Sequence, residues 1–125
     1  LRDKRSKRLI DSFRYAISGI CYTFKTERNF KIHIFATILV VLLASLFSVS
    51  RVEWLMLIIV IGMTLTLELV NTAVERVVNM LTTEYHPLAK IVKDVAAGAV
   101  FISSIISMIV GFCIFAPRLI ELLTN

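Results

Sequence analysis

Three long apolar segments restrict this chain to a membrane fold. Residues 32–49 and 95–116 are almost entirely apolar, and another apolar run covers much of residues 52–81. Ser50 and Glu53, at the start of this run, fit the pattern of a capping box. A helix rises about 1.5 Å per residue, so each run can cross a hydrocarbon core of roughly 30 Å. With 58% hydrophobic residues among 125, the chain is too apolar for an ordinary soluble domain. The sequence therefore predicts an all-α membrane protein with three transmembrane helices in a single domain, residues 1–125.

The segment before the first span has the pattern of an amphipathic helix. Over residues 9–25, apolar side chains recur at steps of three and four, and polar side chains occupy the remaining positions. This pattern predicts an interfacial helix that lies on the membrane surface. The basic residues near the N-terminus favour contact with anionic lipid, and we expect no nucleic-acid partner.

The distribution of Lys and Arg predicts the orientation in the membrane. Nine of the fourteen basic residues precede the first span, one lies between the first and second spans, and three flank the loop between the second and third. Cytoplasmic segments of membrane proteins carry the excess of basic residues. We therefore expect a cytoplasmic N-terminus and, because the number of spans is odd, a C-terminus outside.

Two carboxylates and a carboxamide continue the second apolar run. Glu68, Asn71 and Glu75 are spaced by three and four residues, so they share one helix face. Measured from Trp54 at the outer boundary, the helical rise places Glu68 about 21 Å and Glu75 about 31 Å inward. Ionisable groups at such depths face protein or a ligand, which indicates a site joining a lipid headgroup to a water-soluble reactant. The alternative is that they only join helices through hydrogen bonds.

Three further charged groups are expected near the cytoplasmic face. Lys93 and Asp94 begin the third span, where a lysine can neutralise phosphate and a carboxylate can hold a cation. Glu27 precedes the first span and could join Glu75 around a divalent cation. Taken alone, Lys93 and Asp94 would be an ordinary helix-end flank, and Glu27 would be a solvated charge.

The histidines and cysteines do not show the spacing of a metal site. His33 and His86 are far from each other and from Cys21 and Cys113 in the sequence. The two cysteines are expected near opposite membrane faces, so a disulfide within one chain is not predicted. The sequence also contains no glycine-rich phosphate loop of the Walker type.

Two motifs resemble the signature of the small prokaryotic diacylglycerol kinases. They are ELVNTAVERVV at residues 68–78 and KDVAAGAV at residues 93–100, and the stretch ERNFKIH at residues 27–33 is similar to the Gram-positive branch, which acts chiefly on undecaprenol. The resemblance implies a homotrimeric helical bundle in the bacterial cell membrane, with sites at subunit interfaces. It also implies transfer of the γ-phosphate of ATP to a lipid hydroxyl, with Mg²⁺ as cofactor.

The resemblance implies roles for individual residues as well. Glu68 matches the catalytic base, and Glu27 and Glu75 match the metal-binding positions. The other positions that match the nucleotide and polar site are Tyr15, Asn71, Glu84, Tyr85, His86, Lys93 and Asp94. Asn79 departs from the family, which usually has Asp there, and this puts one polar contact in doubt.

Four functions are compatible with these residues. Phosphorylation of undecaprenol is the favoured one, and a diacylglycerol kinase would apply the same chemistry to a different lipid. A small proton-coupled transporter would also use a membrane glutamate, but it gives no role to Lys93 and Asp94. A purely structural membrane subunit would not depend on the charges of Glu68 and Glu75.

Overall fold

The computed structural model describes residues 2–125, with side chains from residue 4 onward, and all regular secondary structure over that range is α-helical. Helix α1 spans Arg2–Thr26, α2 spans Arg28–Leu46, α3 spans Arg51–Leu81 and α4 spans Pro87–Thr124. Helices α2, α3 and α4 are long and apolar enough to cross a membrane. The structure therefore confirms a multi-pass membrane protein with an N-terminal helix and three candidate spans.

Helix α3 has the ends that the sequence predicts. The Ser50 hydroxyl accepts a hydrogen bond from the Glu53 backbone at 3.2 Å, and the Glu53 carboxylate accepts one from the Ser50 backbone at 3.0 Å. This capping box satisfies two backbone donors that the first turn of a helix would leave without a partner. Helix α2, in contrast, covers residues 28–46 instead of the predicted 32–49, and α1 begins before residue 9.

Helix α4 extends beyond both predicted ends of the third span. It begins at Pro87, whose ring suits the first helical position, and the preceding His86 caps it. At the other end, the helix continues through Pro117. Pro117 has no N–H to donate to the carbonyl of Cys113, four residues earlier, but membrane helices tolerate such a loss. The predicted limits, 95–116, enclose only the most apolar part of this helix.

All the other helices contact α3. Helix α4 packs along it most extensively, followed by α2, while α1 lies against both α2 and α3. A buried apolar cluster forms between α2, α3 and α4 and consists of Ala44, Val49, Leu57 and Ile114. Beside it, both terminal nitrogens of Arg118 donate to the Glu53 carboxylate, at 2.6 and 2.7 Å. These contacts fix the relative position of α3 and α4 at the end where α3 begins.

A cluster of hydroxyl groups joins the middle of α3 to α4. The Thr64 hydroxyl lies 2.7 Å from that of Ser103 and 3.0 Å from that of Ser107. Small hydroxyl residues let two membrane helices approach closely and hydrogen-bond across their interface. The cluster therefore holds the two helices together where the surroundings are apolar.

Replacing Thr64 with Val should lower the free energy of unfolding in detergent by about 1 kcal/mol, because a side chain of similar shape loses its interhelical hydrogen bonds. The measurement is an unfolding titration in mixed detergent micelles. The control is Thr66→Val, at an exposed position of the same helix. An equal loss of stability in both variants would contradict a specific role for the cluster.

Candidate active site

Helix α3 carries the acidic residues predicted for the site on the side that faces other helices. Its buried positions include Thr64, Glu68 and Thr72, and Glu68 is only 3% exposed. Asn71 and Glu75 are partly buried. Because α3 is helical throughout, this burial continues toward the C-terminal end along one face of the helix.

The Glu68 carboxylate is placed beside a histidine from α2. Its Oε1 lies 3.3 Å from His33 Nε2. The charges of Glu27 and Glu75 are also near enough to act on Glu68. Sequence analysis assigned no role to His33, because the contact joins two helices and leaves no local pattern in the sequence.

Glu27 occupies the short break between α1 and α2. Its backbone is extended, with φ −107° and ψ 114°, while both neighbouring segments are helical. Its Oε1 accepts a hydrogen bond from the Arg76 guanidinium at 2.6 Å, and Arg76 also donates to the Tyr22 hydroxyl at 2.8 Å. Three helices therefore meet at Glu27. Arg76 was absent from the predicted site, although it directly follows Glu75 in the sequence.

The side-chain oxygen of Asn71 is available to a ligand. Its side-chain nitrogen lies 3.5 Å from Glu75 Oε1. Its Oδ1 is buried, and no hydrogen-bond partner for it occurs among the residues that the structure describes. Amide and carboxylate oxygens are the ligands that Mg²⁺ prefers. The oxygens of Asn71 and Glu75 thus fit the chemistry of a magnesium site.

The protein alone does not provide a complete metal cage in the described part of the chain. Within residues 2–125, no group of three or more His, Cys, Asp or Glu side chains is arranged to hold an ion. Magnesium sites in kinases commonly use one or two carboxylates together with phosphate oxygens. Glu27 is paired with Arg76 here, and the assignment of Glu27 and Glu75 as metal ligands stays a prediction.

Lys93 lies in the second turn of α4 and contacts Asn79. Its ammonium group donates to Asn79 Oδ1 at 2.7 Å. Asp94 instead accepts a hydrogen bond from Lys90 on its own helix at 2.6 Å. Asn79 therefore has a defined partner, and its amide oxygen lies beside the ammonium group of Lys93.

The loop between α3 and α4 borders a cavity of about 630 Å³. Glu84, Tyr85 and His86 of the predicted nucleotide loop line this cavity together with Asn79 and Lys93. Its size is in the range of small-molecule sites, and its lysines can attract phosphate. The structure therefore brings the predicted loop and Lys93 together.

Tyr15 lies at a different cavity. This one measures about 440 Å³ and lies between α1 and α3, where Tyr15 shares the lining with Tyr22, Thr72 and Arg76. The residues predicted to contact nucleotide are thus divided between two cavities in the single chain. Arg76 connects the second of them to Glu27.

The chain is similar to known proteins over nearly all of its length. The family described as Prokaryotic diacylglycerol kinase matches residues 14–115. An undecaprenol kinase from Bacillus subtilis is 43% identical over 94% of this chain and 98% of its own. A diacylglycerol kinase from Synechocystis is 44% identical over 92% of this chain and 66% of its own. A diacylglycerol kinase from Pseudomonas aeruginosa is 32% identical over 78% of this chain and 79% of its own.

The family match includes all of α2 and α3 and most of α4, and therefore the acidic face of α3 and the loop cavity. It favours a kinase over the transporter and the structural subunit. Because the match covers most of the chain, this protein belongs to the prokaryotic diacylglycerol kinase family and is a membrane lipid kinase.

Proposed function

We propose that the protein uses ATP to phosphorylate undecaprenol at the inner face of the cell membrane, giving undecaprenyl phosphate. The observation that carries the kinase chemistry is the buried carboxylate of Glu68, which lies within a membrane helix whose far end borders a lysine-containing cavity. The choice of lipid is supported by the undecaprenol kinase of Bacillus subtilis, which aligns over 98% of its length. Residues 27–33 favour the same branch of the family.

Diacylglycerol is the second candidate substrate. The diacylglycerol kinase from Synechocystis is 44% identical to this chain, compared with 43% for the undecaprenol kinase. Both lipids present a hydroxyl group at the membrane interface and leave their apolar tails in hydrocarbon. The depth and charge of the site therefore suit either lipid.

In the proposed mechanism Glu68 is the general base. A carboxylate there can accept the proton of a lipid hydroxyl that enters sideways from the inner leaflet, as the hydroxyl oxygen attacks the γ-phosphate of ATP. The new bond joins the lipid oxygen to phosphorus, and ADP leaves with the electrons of the broken bond. Asn71, one turn along the helix from Glu68, orients the carboxylate or the hydroxyl.

Glu27 and Glu75 are the residues proposed to hold Mg²⁺ with the nucleotide. When bound, this ion neutralises the negative charge of the phosphate oxygens. Glu75 Oε1 lies 3.5 Å from the side-chain nitrogen of Asn71, whose Oδ1 is buried without a hydrogen-bond partner among the described residues; this supports an ion near the two side chains. The hydrogen bond from Arg76 to Glu27 uses Oε1, so Oε2 of Glu27 remains the oxygen with which it can bind metal.

The nucleotide is proposed to bind at the cytoplasmic end of α3 and α4. Lys93 stabilises the transferring phosphate, and Asp94 belongs to the surrounding polar site. The exposed loop of Glu84, Tyr85 and His86 contacts the nucleotide from the cavity that it borders. Tyr15 contributes from the cavity between α1 and α3.

We propose further that three copies of the chain form the active assembly, with the N-terminus and the active sites in the cytoplasm. Large apolar side chains remain exposed on every helix of the single chain, as expected where lipid or neighbouring copies cover them. The division of the predicted nucleotide residues between two cavities also supports a site that a neighbouring subunit completes. The basic N-terminal segment supports the orientation.

Glu68→Gln should lower kcat by about a hundredfold or more, because an amide cannot accept the hydroxyl proton. Assembly and ATP binding should be unchanged. The assay measures ATP-dependent phosphorylation of lipid by purified protein. The matched control is Glu121→Gln, at an exposed position near the C-terminal end of α4. Near-normal turnover by Glu68→Gln would remove Glu68 from the role of base.

Glu75→Gln should weaken magnesium-dependent ATP binding, because the neutral amide is a poorer ligand for a hard cation than a carboxylate. ATP affinity is measured by titration over a series of magnesium concentrations, again beside Glu121→Gln. The assignment fails if both the magnesium dependence and the ATP affinity equal those of the unmodified protein.

The detergent-solubilised protein should phosphorylate undecaprenol faster than diacylglycerol at equal mole fraction, as expected for the Gram-positive branch. Initial rates are compared over matched concentrations of the two lipids, and the product lipids are identified. A clear preference for diacylglycerol would overturn the choice of substrate, while the lipid-kinase assignment would stand.

A further inference from the structure

The Glu68 carboxylate has a polar neighbour that the proposed mechanism does not yet use. His33 Nε2 lies 3.3 Å from Glu68 Oε1, and the glutamate side chain is 4% exposed. A carboxylate inside a membrane helix is costly unless another polar group replaces the water that it has lost. Imidazole can donate from Nε2 in its charged form and in one of its neutral tautomers, so His33 is a polar partner for the carboxylate at this distance.

The segment of α2 that carries His33 is anchored in the fold. Phe30, one turn earlier on α2, is 2% exposed and anchors that part of the helix. One turn later, the Thr37 hydroxyl donates to the His33 backbone carbonyl at 2.7 Å. His33 and Thr37 both line a cavity of about 580 Å³ between α2, α3 and α4, and the rest of its lining is mainly apolar. A hydrogen bond in such surroundings meets little competition from water.

We propose, resting on the assignment of Glu68 as the base, that His33 is a positioning residue for this carboxylate. Its Nε2 holds Oε1, which leaves Oε2 to receive the proton of the lipid hydroxyl. The imidazole neither touches the nucleotide nor receives the proton. Its effect is to fix the carboxylate in one orientation, and small displacements of a reacting group reduce the rate strongly.

The test compares two carboxamide side chains that differ by one methylene group. The longer side chain of His33→Gln can bring its nitrogen to Glu68, whereas that of His33→Asn is too short to reach it. We expect His33→Asn to lower kcat about tenfold or more, with the KM for ATP unchanged, and His33→Gln to keep at least about half of the activity. The matched control, Ser104→Ala, alters the lining of the same cavity from α4 and should leave kcat unchanged.

If the role of His33 were purely structural, both carboxamide variants would lose activity to the same extent as they lose folded protein. The folded fraction of each variant is measured by unfolding in detergent. Equal kcat values for His33→Asn and His33→Gln overturn the proposal, as does a loss that appears only in the KM for ATP. The test also separates this proposal from the proposed function. If the unmodified protein phosphorylates no lipid, both the proposed function and the role of His33 are wrong. If Glu68→Gln is inactive while His33→Asn is fully active, only the role of His33 is wrong.

Discussion

A carboxylate can remain inside a membrane helix only where protein groups replace water, and Glu68 imposes this condition on the fold. Its 3% exposure leaves the carboxylate dependent on neighbouring helices for polar contact. Helix α2 meets the condition by bringing His33 to within 3.3 Å. The packing of α2 against α3 therefore also determines the polar environment of Glu68, the proposed base. A rotation of α3 that exposed Glu68 to lipid would be energetically unfavourable.

Helix α3 is long enough to extend from the hydrocarbon core into the water beside it. Its 31 residues correspond to about 46 Å, which exceeds the thickness of the hydrocarbon core. The capping box at Ser50 and the ion pair of Glu53 with Arg118 fix the end opposite the acidic residues. The positions of Glu68 and Glu75 along the membrane normal thus depend partly on contacts at the other side of the bilayer.

The sequence predicted those parts of the fold that depend on local patterns. Hydropathy located the three spans, and residue spacing predicted the capping box and the end of α3 at Leu81. The ends of α4 were less predictable, because a proline normally stops a helix in water but is tolerated at position 117 within an apolar helix.

The candidate site was predictable only in part. Spacing and depth selected the acidic residues of α3, the family resemblance selected the loop residues, and the structure brings Lys93 to the loop. The contacts of His33 with Glu68 and of Arg76 with Glu27 join residues on different helices. Hydropathy and spacing describe one segment at a time, so they contain no signal for such pairs. The choice of lipid rests on the family resemblance, because both candidate substrates present a hydroxyl group at the same depth.

The separation of Glu27 and Arg76 in the chain sets the order in which the protein can be assembled. These residues are 49 positions apart, and translation releases the N-terminal residue first. When α1 leaves the ribosome, the guanidinium that will join Glu27 to Tyr22 has not yet been synthesised. The hydrogen bond between Glu27 and Arg76 can therefore form only after most of α3 has been synthesised.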